Sequence, residues 1–278
     1  MPWVRVLTTD LALRIERFVA PEVSLPHPVT VDPSAPCVAQ FGRTIASKSP
    51  RAWPGNKVFC FGHEDVGRLD EILAYFAADR LEPTFYVAPM AFTRDVAAAL
   101  TAVGFVQREF EQAILYGVPD PTPPRLHAGV TIEPVTADNL EEFVCATADG
   151  FEWHASWRDA AMEGVRTSVR PGVQHFLVRY RGIPAGVGSL GVRENVASLG
   201  GGAIVPAFRG KGCHLALVHH RVHLAHTLGW ELVLGGARFG SASFRNQQRA
   251  GLRVAYLESA WSRRDHVVIA GRKPLRSD

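Results

Sequence analysis

LGGGAIVPAFRGKGCHLALVHHRVHLAHTLGW, Leu199 to Trp230, is the stretch on which the reading of this chain turns. An apolar, strand-like run ends at Val205, Pro206 stops it, and Arg209-Gly210-Lys211-Gly212 opens a helix at once. Glycines there let the backbone turn with little steric penalty, so successive N–H groups point into one concavity at a helix N-terminus. That arrangement holds a pyrophosphate, and the cations of Arg209 and Lys211 reinforce it.

Competing phosphate and nucleophile motifs fail position by position. Walker A needs glycine where Val205 stands and Ser or Thr where Gly212 stands, and no G-x-G-x-x-G follows a strand here. Ser189 forms no nucleophile elbow, because Val187 occupies the glycine position that motif requires.

Around this stretch the periodicity predicts a strand over Val130 to Pro134 and a helix over Asp138 to Ala148, capped by Asp138 or Thr136. Three consecutive strands follow, Gln174 to Tyr180, Ala185 to Val192 and Val196 to Val205. A long helix runs from Gly212 to Leu228, then a strand from Glu231 to Leu234 and a short helix from Ser241 to Ala250. Leu252 to Trp261 and His266 to Ala270 close the sheet.

With that order around it, the segment P-x-F-R-G-K-G resembles motif A of the Gcn5-related N-acetyltransferases, whose R/Q-x-x-G-x-G/A pattern matches at Arg209 and Gly212. The resemblance extends over about residues 128 to 272, and Gly240 to Asn246 followed by Gly251-Leu252 looks like motif B. It implies an α/β (α+β) fold built on a mixed, mainly antiparallel twisted sheet flanked by helices. It also implies acetyl-CoA as cosubstrate, no metal, and a primary amine, here a small molecule, that attacks the thioester directly. The diphosphate would lie on Arg209, Gly210, Lys211, Gly212, Cys213 and His214. Pantetheine would pair with Ala203, Ile204 and Val205, and the Ile204 backbone N–H would stabilise the oxyanion. Ser243 and Asn246 would touch the cofactor or cap their helix.

The match has departures. His214 stands at the second Gly/Ala site, where either its N–H alone is used or its ring meets phosphate or substrate. Gln247 stands where family members often place a tyrosine acid, leaving Tyr256 as the nearest acid or as a buried aromatic. Glu152 and His154, in GFEWHASW, fall in a region that lines the acceptor site in this family. Glu152 is the candidate base beside a water relayed to backbone carbonyls. Phe151, Trp153 and Trp157 wall an apolar pocket or belong to the core. A non-catalytic acyl-CoA sensor or scaffold is the alternative these departures favour.

Upstream, VPDPTPPR (Val118 to Arg125) carries four prolines in six residues, a semi-rigid connector. It divides the chain into residues 1–120, a linker at 121–127 and residues 128–278. In the first part, residues 1–55 are broken up by prolines, beginning after Leu11 to Val19. Strands are expected at Lys57 to Phe61, Thr84 to Val87 and Phe105 to Tyr116. Helices are expected at Glu64 to Arg80 and from Thr93 to Val103, ended by Gly104. This order matches that of the second part, so the first reads as a degenerate copy. Phe61-Gly62-His63-Glu64-Asp65 puts acidic residues where phosphates need cations, and no cofactor is expected there.

Composition bounds the rest. With 47% hydrophobic and 21% charged residues in 278, the chain can fill a large core or two modest ones, and a net charge of +3 gives no broad basic field for nucleic acid. No run of about 18 apolar residues and no secretory pattern occurs, so a membrane partner is not expected and the cytoplasm is. Cys37, Cys60, Cys145 and Cys213 form no CxxC pair and read as reduced thiols. His219, His223 and His226 share one face of the long helix, but without an HExxH carboxylate they read as a solvated face rather than a metal site. A monomer with pseudo-dimeric pairing, or a homodimer, is expected.

Overall fold

The computed structural model describes residues 6–20, 38–48, 56–168 and 173–263. Its centre is one continuous sheet. The first part of the chain contributes α1 (Thr9–Val19), β1 (Val38–Phe41), β2 (Thr44–Ser47), β3 (Lys57–Phe59), α2 (Leu69–Ala77), β4 (Thr84–Val87), α3 (Arg94–Ala102) and β5 (Phe105–Gly117). The second contributes β6 (Val130–Pro134), α4 (Leu140–Gly150), α5 (Ala155–Ser168), β7 (Val173–Tyr180), β8 (Ile183–Arg193) and β9 (Val196–Ile204). It continues through α6 (Cys213–Thr227), β10 (Leu232–Ala237), α7 (Ala242–Arg249) and β11 (Arg253–Arg263).

The strand order is β1-β2-β3-β4-β11-β5-β10-β9-β8-β7-β6. All neighbours are antiparallel except β3–β4 and β9–β10, each joined by a helical crossover. The run β3-α2-β4-α3-β5 is repeated as β9-α6-β10-α7-β11, and the two final strands are exchanged: β11 pairs with β4, and β5 pairs with β10. The β5–β11 ladder between them runs from Arg253↔Tyr116 to Arg263↔Phe105 and locks the two runs together.

Period-two alternation distributes these strands between two faces. Val233 of β10 and Leu115 of β5 point at α6, whose Leu217, Val218 and Val222 cover that face. Leu232 and Leu234, with Ile114 and Tyr116, point the other way and are covered by Ile15 and Phe18 of α1. On that same side α4 lays Phe143 and Val144 over Leu177, Val187 and Ala203. The first part keeps its own aromatic core, with Phe61, Phe76, Phe85 and Phe105 fully buried.

Local signals explain most boundaries. Thr93 Oγ1 accepts from the Val96 N–H at 3.3 Å and starts α3, and Ser241 Oγ accepts from Phe244 N–H at 3.1 Å and starts α7. The helix expected from Glu64 is instead a 3-10 turn, His63–Arg68, that becomes α-helical at Leu69. Asp65 is the reason. Its buried carboxylate accepts from the N–H groups of Arg43 (3.0 Å) and Thr44 (2.9 Å) and from Thr44 Oγ1 (2.8 Å), tying the first turn to the β1–β2 hairpin. Neither Asp138 nor Thr136 caps α4: Asn139 precedes it, and its Oδ1 accepts from the Thr136 N–H at 2.8 Å. Helix α5 was not marked by the periodicity, and the strand expected at His266 to Ala270 lies outside the described residues. Among the described residues no helix is long and apolar enough to cross a membrane.

Because β5 and β11 are exchanged, neither run completes its sheet alone. Urea unfolding followed by tryptophan fluorescence and by circular dichroism is expected to give one coincident transition. Two separated transitions, or a soluble, cooperatively folding fragment beginning at residue 126, would contradict the interlock.

Candidate functional site

Strands β9 and β10 pair only as far as Leu199↔Gly235, and beyond that point they diverge. The β8–β9 register also changes there, from Ser189↔Gly200 to Val187↔Ala203, so that β9 carries one residue more than β8 and bulges. Gly201, in the bulge, has φ +56°. Past it the Val205 N–H donates to the Ala185 carbonyl at 2.9 Å. Alternation along the strand therefore turns the Ile204 N–H toward the side that β10 has left.

The opening widens into a cleft of about 730 Å³. Gly202, Ala203 and Ile204 form one wall; Gly210, Gly212, Cys213 and His214 form the end at α6; Ser243, Asn246 and Arg249 of α7 form the other wall. Gly210 (φ +77°) and Gly212 (φ +79°) adopt the left-handed conformation that glycine alone takes at no steric cost, which starts α6 directly after the turn. The sequence-derived cradle is thus built by these two backbone conformations, at a helix N-terminus.

Other expected residues are distributed differently. Arg209 lines the cleft, but its guanidinium is anchored on the protein. It donates to the Ile204 carbonyl (3.1 Å) and the Gly150 carbonyl (3.2 Å), and it pairs with Glu152 at 3.0 Å. Glu152 is therefore the ion-pair partner of Arg209, held in a left-handed conformation (φ +52°) after α4. Lys211 is exposed, its Nζ 5.2 Å from the Tyr180 ring centroid. Val205 and Lys211 do not line the cleft. Tyr256 is buried beneath α1 with Ile15, Phe18 and Leu234, on the opposite face of the sheet from α6, and its hydroxyl has no hydrogen-bond partner among the described residues. Gln247 donates to the Gly236 carbonyl and to Ser243 Oγ, each at 3.3 Å. Phe151 is exposed at the cleft rim and stacks on Trp153, with ring centroids 6.2 Å apart. His154 is exposed, and the Trp157 side chain lies outside the described residues.

His214 sits at the cleft floor, and the Asn246 amide lies 3.2 Å from its Nδ1. With that amide donating, the ring proton rests on Nε2. Burial, reinforced by the nearby Arg221 charge, pushes the imidazole down to about 4, so it is neutral at pH 7. Burial also lowers His219 and His220. His223 Nδ1 meets the Asp120 carbonyl at 3.3 Å, so this helix face packs against the proline-rich connector. Among the described residues no group of three or more His, Cys, Asp or Glu could hold a metal.

Two residues escaped sequence reasoning. His127, at the end of the connector, lines the cleft with its ring against Gly212, where an added Cβ would overlap it. Nothing in its neighbourhood of sequence signals that. Arg221, in the third turn of α6, is 2% exposed and donates to the carbonyls of Ser189 and Gly200, both at 2.9 Å. Burial lowers it to about 9, which leaves it charged. Among the described residues it has no carboxylate partner, and an unpaired buried cation costs several kcal/mol.

The sequence matches no protein-family model and no curated protein. Solved structures do match. The chain is similar to a GCN5-related N-acetyltransferase from Kribbella flavida (17% identity, 82% of this chain and 90% of that one, TM-score 0.63). It is similar to another from Sphaerobacter thermophilus (14%, 78% and 75%, TM-score 0.58). It also resembles a tandem GNAT protein from the clavulanic acid biosynthesis pathway (16%, 78% and 81%, TM-score 0.56). The chain has the Gcn5-related N-acetyltransferase fold, and the likeness extends over most of its length.

A histidine held neutral by the fold couples stability to pH. The folded value near 4 lies below the unfolded one near 6.5, so the contribution is complete above about pH 6.5 and is lost as pH falls toward 4. Allowing for partial solvent contact, it amounts to about 2 kcal/mol. His214→Asn should therefore lose less stability than wild type between pH 7 and 4.5 in urea titrations. Parallel pH slopes in the two proteins would contradict this.

Proposed function

We propose that this protein is an acyl-CoA-dependent N-acyltransferase that moves an acetyl group from acetyl-CoA to the primary amine of a small molecule. The observation that carries the reading is the open edge of β9 beyond Leu199↔Gly235, ending at the glycine-built cradle of α6. A backbone edge facing an empty strand position suits the amide-bearing pantetheine arm, and N–H groups at a helix N-terminus suit its diphosphate.

In this reading residues 128–278 carry the site and residues 1–120 are a degenerate copy. The Asp65 carboxylate fits that division, since it takes up the N–H groups of Arg43 and Thr44 beside the turn corresponding to the cradle. The Ile204 N–H stabilises the oxyanion as the amine attacks the thioester carbon, and collapse expels the thiolate of CoA. Gly201 and Gly236, both exposed where the strands part, leave room for the acceptor to approach. Glu152 is tied to Arg209 and Tyr256 is buried away from the cleft, so the ammonium proton leaves through water and backbone carbonyls. The three described cysteines, Cys60, Cys145 and Cys213, are free, in keeping with a reducing cytoplasm.

Gln247 at the tyrosine position favours a second reading, a non-catalytic acyl-CoA sensor. Thiol release from acetyl-CoA across a panel of amines separates the two, since a sensor binds without turnover on any of them. Either reading requires binding. Acetyl-CoA should raise the melting temperature by mass action, and Gly212→Trp, which fills the cradle against His127, should abolish the shift. No shift in wild type at millimolar cofactor, or an undiminished one in Gly212→Trp, would refute the assignment of the site.

A further inference from the structure

The Arg221 guanidinium lies under the bulge of β9, in space that two glycines leave open. A Cβ at Gly188 would come within 3.1 Å of its Nη1, and one at Gly202 within 3.3 Å of its Nη2. Nη1 holds the carbonyls of Ser189 and Gly200, the cross-strand pair that borders the register change, and Nε donates to the Leu217 carbonyl at 3.3 Å. The His214 Nε2 approaches the same Gly202 position at 3.6 Å. A charged fork is thus fixed directly beneath the first residues of the open edge, with no carboxylate among the described residues to neutralise it.

The direction of β9 says what lies above that charge. From the cradle at Gly212 the open edge runs back through Ile204 to Gly202 and closes again at Leu199. A cofactor anchored by its diphosphate at the cradle therefore brings its far, reacting end to the stretch from Ile204 to Gly202. We infer that Arg221 is the fixed counter-charge of the reaction, stabilising the negative charge that passes from the thioester oxygen to the departing sulfur. This rests on the acyl-CoA reading above.

The electron accounting is closed without any further reactant. The amine lone pair forms the new C–N bond, the carbonyl pair moves to oxygen, the proton that the attacking nitrogen then carries passes to water, and collapse of the oxyanion breaks the C–S bond and leaves the pair on sulfur. Both anionic stages form over the same residue, so one immobile cation serves both. It needs no reorganisation when the charge appears. Arginine suits the position because it remains charged when buried and because its planar fork can hold two carbonyls while presenting a further N–H. Arg221 acts through its field from beneath the strand, and it is a positioning residue in that sense.

The direct test is the acidity of the CoA thiol while bound, followed through the ultraviolet absorbance of the thiolate as pH is raised. Wild-type protein should hold the thiol below its value in free CoA. Arg221→Met should raise it by about one unit or more, with the cofactor-induced melting shift retained. With an accepted amine, Arg221→Met should lower kcat about 100-fold while KM for acetyl-CoA stays within about threefold. Arg221→Lys, which keeps the charge, should restore most of both. A bound thiol in wild type that titrates like free CoA overturns the inference whatever the variants do. So does a kcat loss in Arg221→Met that merely tracks lost cofactor binding. If wild type binds no CoA, the acyl-CoA reading falls with it; if CoA binds and the thiol is unperturbed, only the role of Arg221 falls.

Discussion

The structure depends on where one ladder stops. Parallel strands β9 and β10 exchange hydrogen bonds up to Leu199↔Gly235, and the bulge at Gly201 then carries β9 away. Backbone polar groups cannot be left buried without partners. A strand edge in mid-sheet must therefore be satisfied by water, by the protein or by a ligand. The Val205 amide stays on β8 and Arg209 takes the Ile204 carbonyl, which leaves the Ile204 N–H directed into the cleft. Arg221 holds the Gly200 carbonyl that follows the last paired residue, beneath the start of the gap.

The exchange of β5 and β11 gives that gap a rigid frame. Strand β10, one lip of the cleft, is flanked on its other side by β5 from the first part of the chain, over Val233↔Gly117 to Ala237↔Ala113. Helix α1, also from the first part, covers the face of β10 opposite α6. The first part thus builds one lip of the cleft even where its own turn has been given over to the Asp65 carboxylate. The arrangement makes the two parts one mechanical unit, since opening the cleft on the β10 side would disturb the β5–β11 ladder as well.

Much of this was legible in the sequence, and the limits have physical causes. Strand and helix spacing marked β6 to β11 because long amphipathic elements repeat their apolar positions, and Arg209 to Gly212 marked the cradle because two left-handed turns in succession demand glycine. Short-range signals could not reveal the exchange of final strands, since β5 and β11 look like ordinary strands whichever partner they choose. Nor could they foretell the fate of Arg209 and Glu152, which depends on α4 ending beside Ile204. Arg221 resembled one more polar residue on a histidine-rich helix, and its burial follows only from the glycines at 188 and 202 across the helix–sheet interface. His127 reached the cleft through the path of a connector whose prolines indicated stiffness but not direction.

The proposed reading puts a single cofactor position on each chain, at the β9–β10 gap, and none at the corresponding turn of the first part. Isothermal titration calorimetry of the full chain with CoA measures that most directly. The account predicts one molar equivalent bound. Two equivalents of comparable affinity, or no heat of binding at all, would contradict it.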